Sequence, residues 1–236
     1  MKLLVITQKI DINDPFLGFF HDWVKELSKY CQNIIVICLW CGDYDLPSNV
    51  HILSLGKEKR RSRLNYIINF YKYLWKENRN YDKVFVHMNP IYLVFAGWCW
   101  RFLGKKTALW YTHRQVDWKL KIAEKFVNVI FTAAKESFSL ASNKLRIVGH
   151  GINTRAFTCK ECPVTENCFL ITHVGRITRI KNIETLIKAA YLLQKDGLKF
   201  KILLLGDPVK LEDFTYKIEL EKIINDLNLE GAVIFE

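Results

Sequence analysis

The chain has 236 residues, enough for one large domain or two small ones, and with half of them hydrophobic and a quarter charged it is not a disordered protein. Its formal net charge of +11 is uneven: from Cys168 onward 10 basic and 10 acidic residues cancel, so the excess lies ahead of that point. Such asymmetry turns one half of the chain toward an anionic surface, either nucleic acid or phospholipid.

The longest uninterrupted apolar run, IYLVFAGWCW at 91–100, is half of the roughly 20 residues a spanning helix needs. LLVIT near the start is too short for a signal-peptide core. The chain is therefore expected to be cytoplasmic, with peripheral contact to the inner face of the membrane as a further option. Seven cysteines, an odd number without secretory context, are expected to be reduced thiols.

In chain order, KLLVIT (2–7) reads as a buried parallel strand. Residues 18–30 carry Phe19, Phe20, Trp23, Val24 and Leu27 at helical spacing; NIIVICLW (33–40) and NVHILSL (49–55) are the next strands. A helix over 62–78 places Leu64, Ile67, Ile68, Tyr71, Leu74 and Trp75 on one stripe. DKVFVHM (82–88) is a strand, and Pro90 opens an apolar helix to Leu103. KKTALWYTH (105–113), NVIFTA (128–133) and KLRIVGHG (144–151) are strands, the first two joined by a helix over 117–126. The alternation breaks over 154–167 and then resumes as strand 168–174, helix 182–195, strand 199–205, helix 212–227 and strand 231–235. This pattern predicts βαβ units and a doubly wound α/β fold.

The most informative stretch is HVGRITRIKN (173–182). Gly175 ends a strand where open α/β sheets bind ligands and lets backbone and ligand approach closely. Arg176 offers a planar fork for phosphate oxygens, Lys181 a mobile point charge, and the helix from Asn182 its positive end. A diphosphate is the natural guest; the alternative is a solvated turn. LLLGDP (203–208) repeats the strand-then-glycine layout with Gly206 and Asp207 and is expected beside the first turn. No G-x-G-x-x-G follows the first strand and no Walker A lysine motif occurs. Cys159, Cys162 and Cys168, with His150 and His173 nearby, raise a zinc site, but no second C-x2-C or paired histidine motif supports it over ordinary loop cysteines.

HVGRITRIKNIETLIKAAYLLQKDGLKFKILLLGDP resembles the opening of the donor-binding domain of family-4 retaining glycosyltransferases. LWYTHRQVDWKLKIAEKFVNVIFTAAKESF followed by KLRIVGHGINTRAF is similar to the end of their acceptor domain. The resemblance implies a GT-B fold: an N-terminal acceptor-side Rossmann-like domain (1–158), a linker (159–167) and the first half of a second, nucleotide-sugar-binding Rossmann-like domain (168–236). It implies transfer of a hexosyl group from a nucleoside-diphosphate sugar to a hydroxyl of a glycan or lipid-linked acceptor, with retention. On it, Gly175, Arg176 and Lys181 bind the donor diphosphate, Gly206 and Asp207 lie near the nucleotide, His113 lies near the reacting sugar, and no metal or other cofactor is expected. Arg179 has no role in the family and is expected to be solvated.

Three departures stand out. The first loop, DINDPFLG, is not glycine-rich, so an acceptor contact rests on Gly18 alone; Asn153 stands where aspartate is usual; and the family's E-x7-E segment would lie beyond residue 236. The chain is accordingly expected to be truncated within its donor domain. Lys57, Lys59, Arg60, Arg61 and Arg63 precede the aromatic helix over 62–78, which reads first as a core-facing helix and alternatively as a lipid-surface element. The rival functional readings are a basic nucleic-acid-binding protein without catalysis and an inactive remnant of the enzyme; no nucleic-acid motif accompanies the basic excess.

Overall fold

Every side chain from Leu3 to Thr7 is buried, as a parallel strand covered on both faces requires. The structure, a computed structural model, describes residues 1–156 and 168–236, which fall into two compact units, Met1–Thr154 and Arg155–Glu236. In the first unit β1 (Lys2–Ile10), β2 (Asn33–Cys41), β3 (Val50–Ser54), β4 (Lys83–His87), β5 (Lys106–Trp110), β6 (Val129–Thr132) and β7 (Leu145–Ile147) form one sheet in the order β3-β2-β1-β4-β5-β6-β7. All its neighbours run parallel. Helices α1 (Gly18–Ser28), α2 (Arg63–Lys76), α3 (Ile91–Phe102) and α4 (Trp118–Phe126) cover it.

The period-2 geometry of strands sorts the core onto two faces. Leu3, Val5, Ile34 and Val36 pack with Phe20 and Val24 of α1. Leu4, Ile6, Ile35 and Ile37 pack with Phe70 and Leu74 of α2, Leu93 and Trp100 of α3, and Leu120 of α4. Each fully buried Leu, Ile or Phe stabilises the unit by about 1.5–3 kcal/mol relative to an exposed one. Two of the four helix starts are capped by side chains: Ser62 Oγ accepts from Asn65 N–H at 3.3 Å before α2, and Asp117 Oδ1 from Leu120 N–H at 2.9 Å before α4. Such caps contribute about 1 kcal/mol each.

Three strand ends and one helix face differ most from the sequence reading; β7, expected over 144–151, ends at Ile147. β1 runs on to Ile10 because Lys9 and Ile10 pair with Trp40 and Cys41 of β2. β5 stops at Trp110; beyond it His113 makes only an isolated bridge to Phe138. Most of the apolar stripe of α2 does not face the core. Leu64, Ile67, Ile68, Tyr71 and Trp75 are exposed, and burial falls to Leu74, at the edge of the stripe, and to Phe70 on the adjoining face.

The second unit holds β8 (Phe169–Val174), α5 (Ile183–Lys195), β9 (Phe200–Leu205), α6 (Leu211–Asp226) and β10 (Val233–Phe235). Its parallel sheet has the order β10-β9-β8. Ile183, Ile187 and Ala190 of α5 and Tyr216, Leu220 and Ile224 of α6 share one core with Ile202 and Leu204 of β9.

Candidate functional site

In the second unit two parallel strands end side by side, each in a glycine. β8 and β9 pair from Phe169 with Phe200 to Val174 with Leu205, and Gly175 N–H donates to the Leu205 carbonyl at 3.0 Å. Gly206 has φ +138°, and a Cβ there would lie 2.2 Å from the Gly175 carbonyl oxygen. The turns are also tied crosswise, Ile177 N–H donating to the Asp207 carbonyl at 3.2 Å. Asp213 anchors the start of α6 through the Lys210 N–H at 3.0 Å. That bond and the Thr178 hydroxyl hold its carboxyl below the usual carboxylate range. LLLGDP therefore lies beside HVGR, leaving bare backbone where sheets of this kind receive ligands.

The three cations of this turn have different surroundings. Arg179 Nη2 meets both carboxylate oxygens of Glu219, at 2.7 and 2.5 Å, and its guanidinium lies 5.1 Å from the centre of the Tyr216 ring. Arg179 is exposed, as expected, and also braces the turn against α6 through this ion pair. Arg176 follows Gly175 directly with its side chain exposed. Lys181 is exposed and forms no ion pair among the described residues. Its Cε lies 3.8 Å from where a Cβ on Gly175 would sit.

The start of α5 is less open to an anion than the sequence implies. Ile183 N–H already donates to the Tyr216 hydroxyl at 3.1 Å, and that hydroxyl donates to the Glu184 carboxylate. Burial, then Glu184, pushes the Tyr216 phenol up to about 12. With one orphan donor satisfied and an acid in the first turn, anion attraction falls mainly to Arg176 and Lys181. His173 sits on the same strand face two residues earlier, its Cε1 3.6 Å from the Cβ position of Gly175. Its Nδ1 is buried without a hydrogen-bond partner. The sequence reading weighed His173 only as a metal ligand; strand alternation was the signal that places it beside Gly175.

In the first unit the strand order reverses between β1 and β4, the position of the ligand crevice in doubly wound sheets. The loop after β1 is held by acids in place of glycines: Asp14 Oδ1 accepts from Phe16 and Leu17 N–H at 2.9 and 2.7 Å, and Lys9 Nζ reaches Asp14 at 2.5 Å. Gly18 begins α1 beneath this loop, where a Cβ would lie 3.1 Å from the Ile12 carbonyl oxygen.

After β4, Met88 adopts φ 59°, a strained value for a non-glycine residue. Its sulfur accepts from Thr112 N–H and Oγ1 at 3.3 Å each, fixing the segment that leads to His113. His113 is exposed, and its Nδ1 accepts from Gln115 N–H at 3.0 Å. With Nδ1 accepting this bond, the ring presents its N–H at Nε2, available to a ligand.

Residues that the sequence reading missed crowd this strand end. His87 is 1 % exposed, pairs through Nδ1 with Thr7 Oγ1 at 3.2 Å and stacks on Phe20 at 3.9 Å. Burial holds it down at about 4, so it is neutral. Trp23 stands edge-on to Trp110 at 4.9 Å, and its indole N–H donates to the Gly151 carbonyl at 3.0 Å. No spacing rule links these residues; only the adjacency of β1, β4 and β5 does.

Of the cysteines considered for zinc, Cys159 and Cys162 lie outside the described residues, and Cys168 is exposed. Among the described residues no group of three or more His, Cys, Asp or Glu side chains is arranged to hold a metal ion.

The two-sheet architecture has counterparts among solved structures. The lipopolysaccharide outer core galactosyltransferase WaaB in its apo form matches all of this chain over 67 % of its own, with 12 % identity and a TM-score of 0.64. A glycosyltransferase from Rickettsia africae matches all of it over 68 % of its own, with 14 % identity and a TM-score of 0.68. WaaG, a glycosyltransferase involved in lipopolysaccharide biosynthesis, matches 99 % of the chain over 69 % of its own, with 12 % identity and a TM-score of 0.58. The fold is GT-B. At these identities the likeness speaks for the fold, and the chain spans about two thirds of the length of each GT-B counterpart. No family model matches the sequence, and no curated protein matches it.

Proposed function

We propose that this GT-B chain is a glycosyltransferase that moves a hexosyl group from a nucleoside-diphosphate sugar to a hydroxyl of a glycan or lipid-linked acceptor, with retention. The observation that carries this reading is the pair of glycine turns at the ends of β8 and β9, with Arg176 exposed beside Gly175 and the ammonium arm of Lys181 folded toward it without a carboxylate partner among the described residues. The structural neighbours, themselves glycosyltransferases, support it.

Breaking a sugar–diphosphate bond builds negative charge on the departing diphosphate, and fixed cations with backbone N–H groups stabilise that charge. Arg176 supplies a forked donor and Lys181 a point charge. The departing diphosphate takes the acceptor proton on the face from which it leaves, so configuration is kept and no side chain need act as base. His113 contributes a contact to the reacting sugar through its Nε2–H. Gly206 and Asp207 lie toward the nucleotide. No metal enters this scheme.

Calorimetric titration with nucleoside diphosphates tests it. Binding should be measurable and fall roughly tenfold or more in Arg176→Ala and in Lys181→Ala, as the loss of a charge-assisted bond to phosphate requires. Affinity unchanged in both variants would falsify the assignment.

A further inference from the structure

The outward stripe of α2 is continuous with a second exposed apolar face on α3. On α2, Leu64, Ile68, Tyr71 and Trp75 recur at the spacing of a single helix face, and Leu64 and Trp75 are 71 % and 79 % exposed. On α3, Trp98 and Phe102 stand one turn apart, 57 % and 89 % exposed. The helices adjoin: Tyr71 Oη donates to the Phe95 carbonyl at 3.0 Å, and Tyr71, Trp75, Cys99 and Leu103 line one groove of about 220 Å³. Contiguous exposed apolar surface of this kind marks a docking site.

Charge decides the occupant. Residues 57–106, which span both helices, hold twelve basic residues against three acidic ones, so most of the chain's +11 excess is here. Lys72 and Lys76 interleave with the α2 stripe, and Arg101 adjoins Phe102. Tryptophan and phenylalanine among lysine and arginine match the lipid–water boundary: the rings enter the headgroup layer while the cations meet lipid phosphates. No helix among the described residues is long and apolar enough to cross a membrane, so the contact is peripheral. We infer that the exposed aromatic face of α2 and α3 docks on an anionic phospholipid surface. This goes beyond the transfer reaction and stands or falls independently of it.

Co-sedimentation of the chain with vesicles tests the inference, using phosphatidylglycerol and phosphatidylcholine in equal parts and phosphatidylcholine alone. Partition onto the anionic vesicles should exceed that onto the neutral ones roughly tenfold and weaken as salt rises. The double variant Trp75→Ser, Phe102→Ser should lose roughly tenfold or more in partition. Both side chains are exposed, so its circular dichroism should match that of the parent. Lys72→Gln with Lys76→Gln should lower the anionic preference and leave the weak neutral binding alone. Equal partition onto both vesicles, or undiminished partition of the aromatic double variant, overturns the inference. So does binding of random-sequence oligonucleotides through the same lysines with no uptake onto vesicles, which would assign this face to nucleic acid.

Discussion

The carbonyl oxygen of Gly175 occupies the space that a side chain on Gly206 would need, 2.2 Å from the Cβ position. Neither partner can yield cheaply, since one is backbone and the other has φ +138°. Gly206→Ala should therefore cost about 3 kcal/mol of stability in the second unit, by combining backbone strain with overpacking. At Gly175, with φ +157°, a Cβ meets only His173 Cε1 at 3.6 Å and Lys181 Cε at 3.8 Å. Gly175→Ala should cost less, about 1 kcal/mol, yet still weaken nucleoside diphosphate binding by displacing Lys181 and crowding the ligand. Urea titration followed by calorimetry on both variants separates the two effects.

Arg179 and Lys181 look alike in sequence but should behave oppositely. Arg179 is held by Glu219, in a pair whose side chains are 64 % and 45 % exposed. Exposed pairs contribute little, so Arg179→Ala should cost about 0.5 kcal/mol and leave nucleoside diphosphate affinity within about twofold. A large affinity loss in Arg179→Ala would move the diphosphate from Lys181 toward α6.

These cases show what one-dimensional pattern carries and what it does not. Buried parallel strands read as apolar runs, and the helices between them follow a 3.6-residue period, so their order and approximate extent were legible. The ends were less so, because Lys9 extends β1 through a backbone pairing that polarity hides. The orientation of α2 was not legible: an apolar stripe has the same period whether it faces core or solvent, and Leu74 at its edge and Phe70 on the adjoining face take the core. Within the candidate site, the glycines and cations were readable because they are local. The brace on Arg179 was not, since Glu219 lies 40 residues away; His87 depends in the same way on Thr7, 80 residues before it.

Acid should destabilise the first unit through His87. Buried against Phe20, the ring is held at about 4 by loss of hydration, against about 6.5 for a free histidine. Between those values the unfolded chain binds a proton that the folded one refuses. The contribution is thus complete above about pH 6.5 and is lost as pH falls toward 4. From pH 8 to pH 5 the loss should be about 2 kcal/mol. Urea midpoints across that range should show it, and His87→Gln should flatten that part of the profile. A variant with the parent's pH slope would place the titration elsewhere.

Gly97, inside α3, faces Phe126 of α4 at close range. A Cβ there would lie 2.6 Å from the Cβ of Phe126 and 3.1 Å from its Cγ. Glycine in a helix interior is disfavoured by about 1 kcal/mol relative to alanine, so its presence here reflects the approach of α4 more than any need of α3. Gly97→Ala should gain helix propensity and lose more in packing, for a net destabilisation of about 1 kcal/mol; Gly97→Leu should cost about 3 kcal/mol. The effect should also reach the α2–α3 face, because α3 carries Trp98 and Phe102. If α3 is pushed off α4, the emission of Trp98 should shift in Gly97→Leu before global unfolding. Tryptophan fluorescence alongside far-ultraviolet circular dichroism during urea titration checks this. Coincident transitions with an unshifted baseline would show that α4 moves and α3 stays.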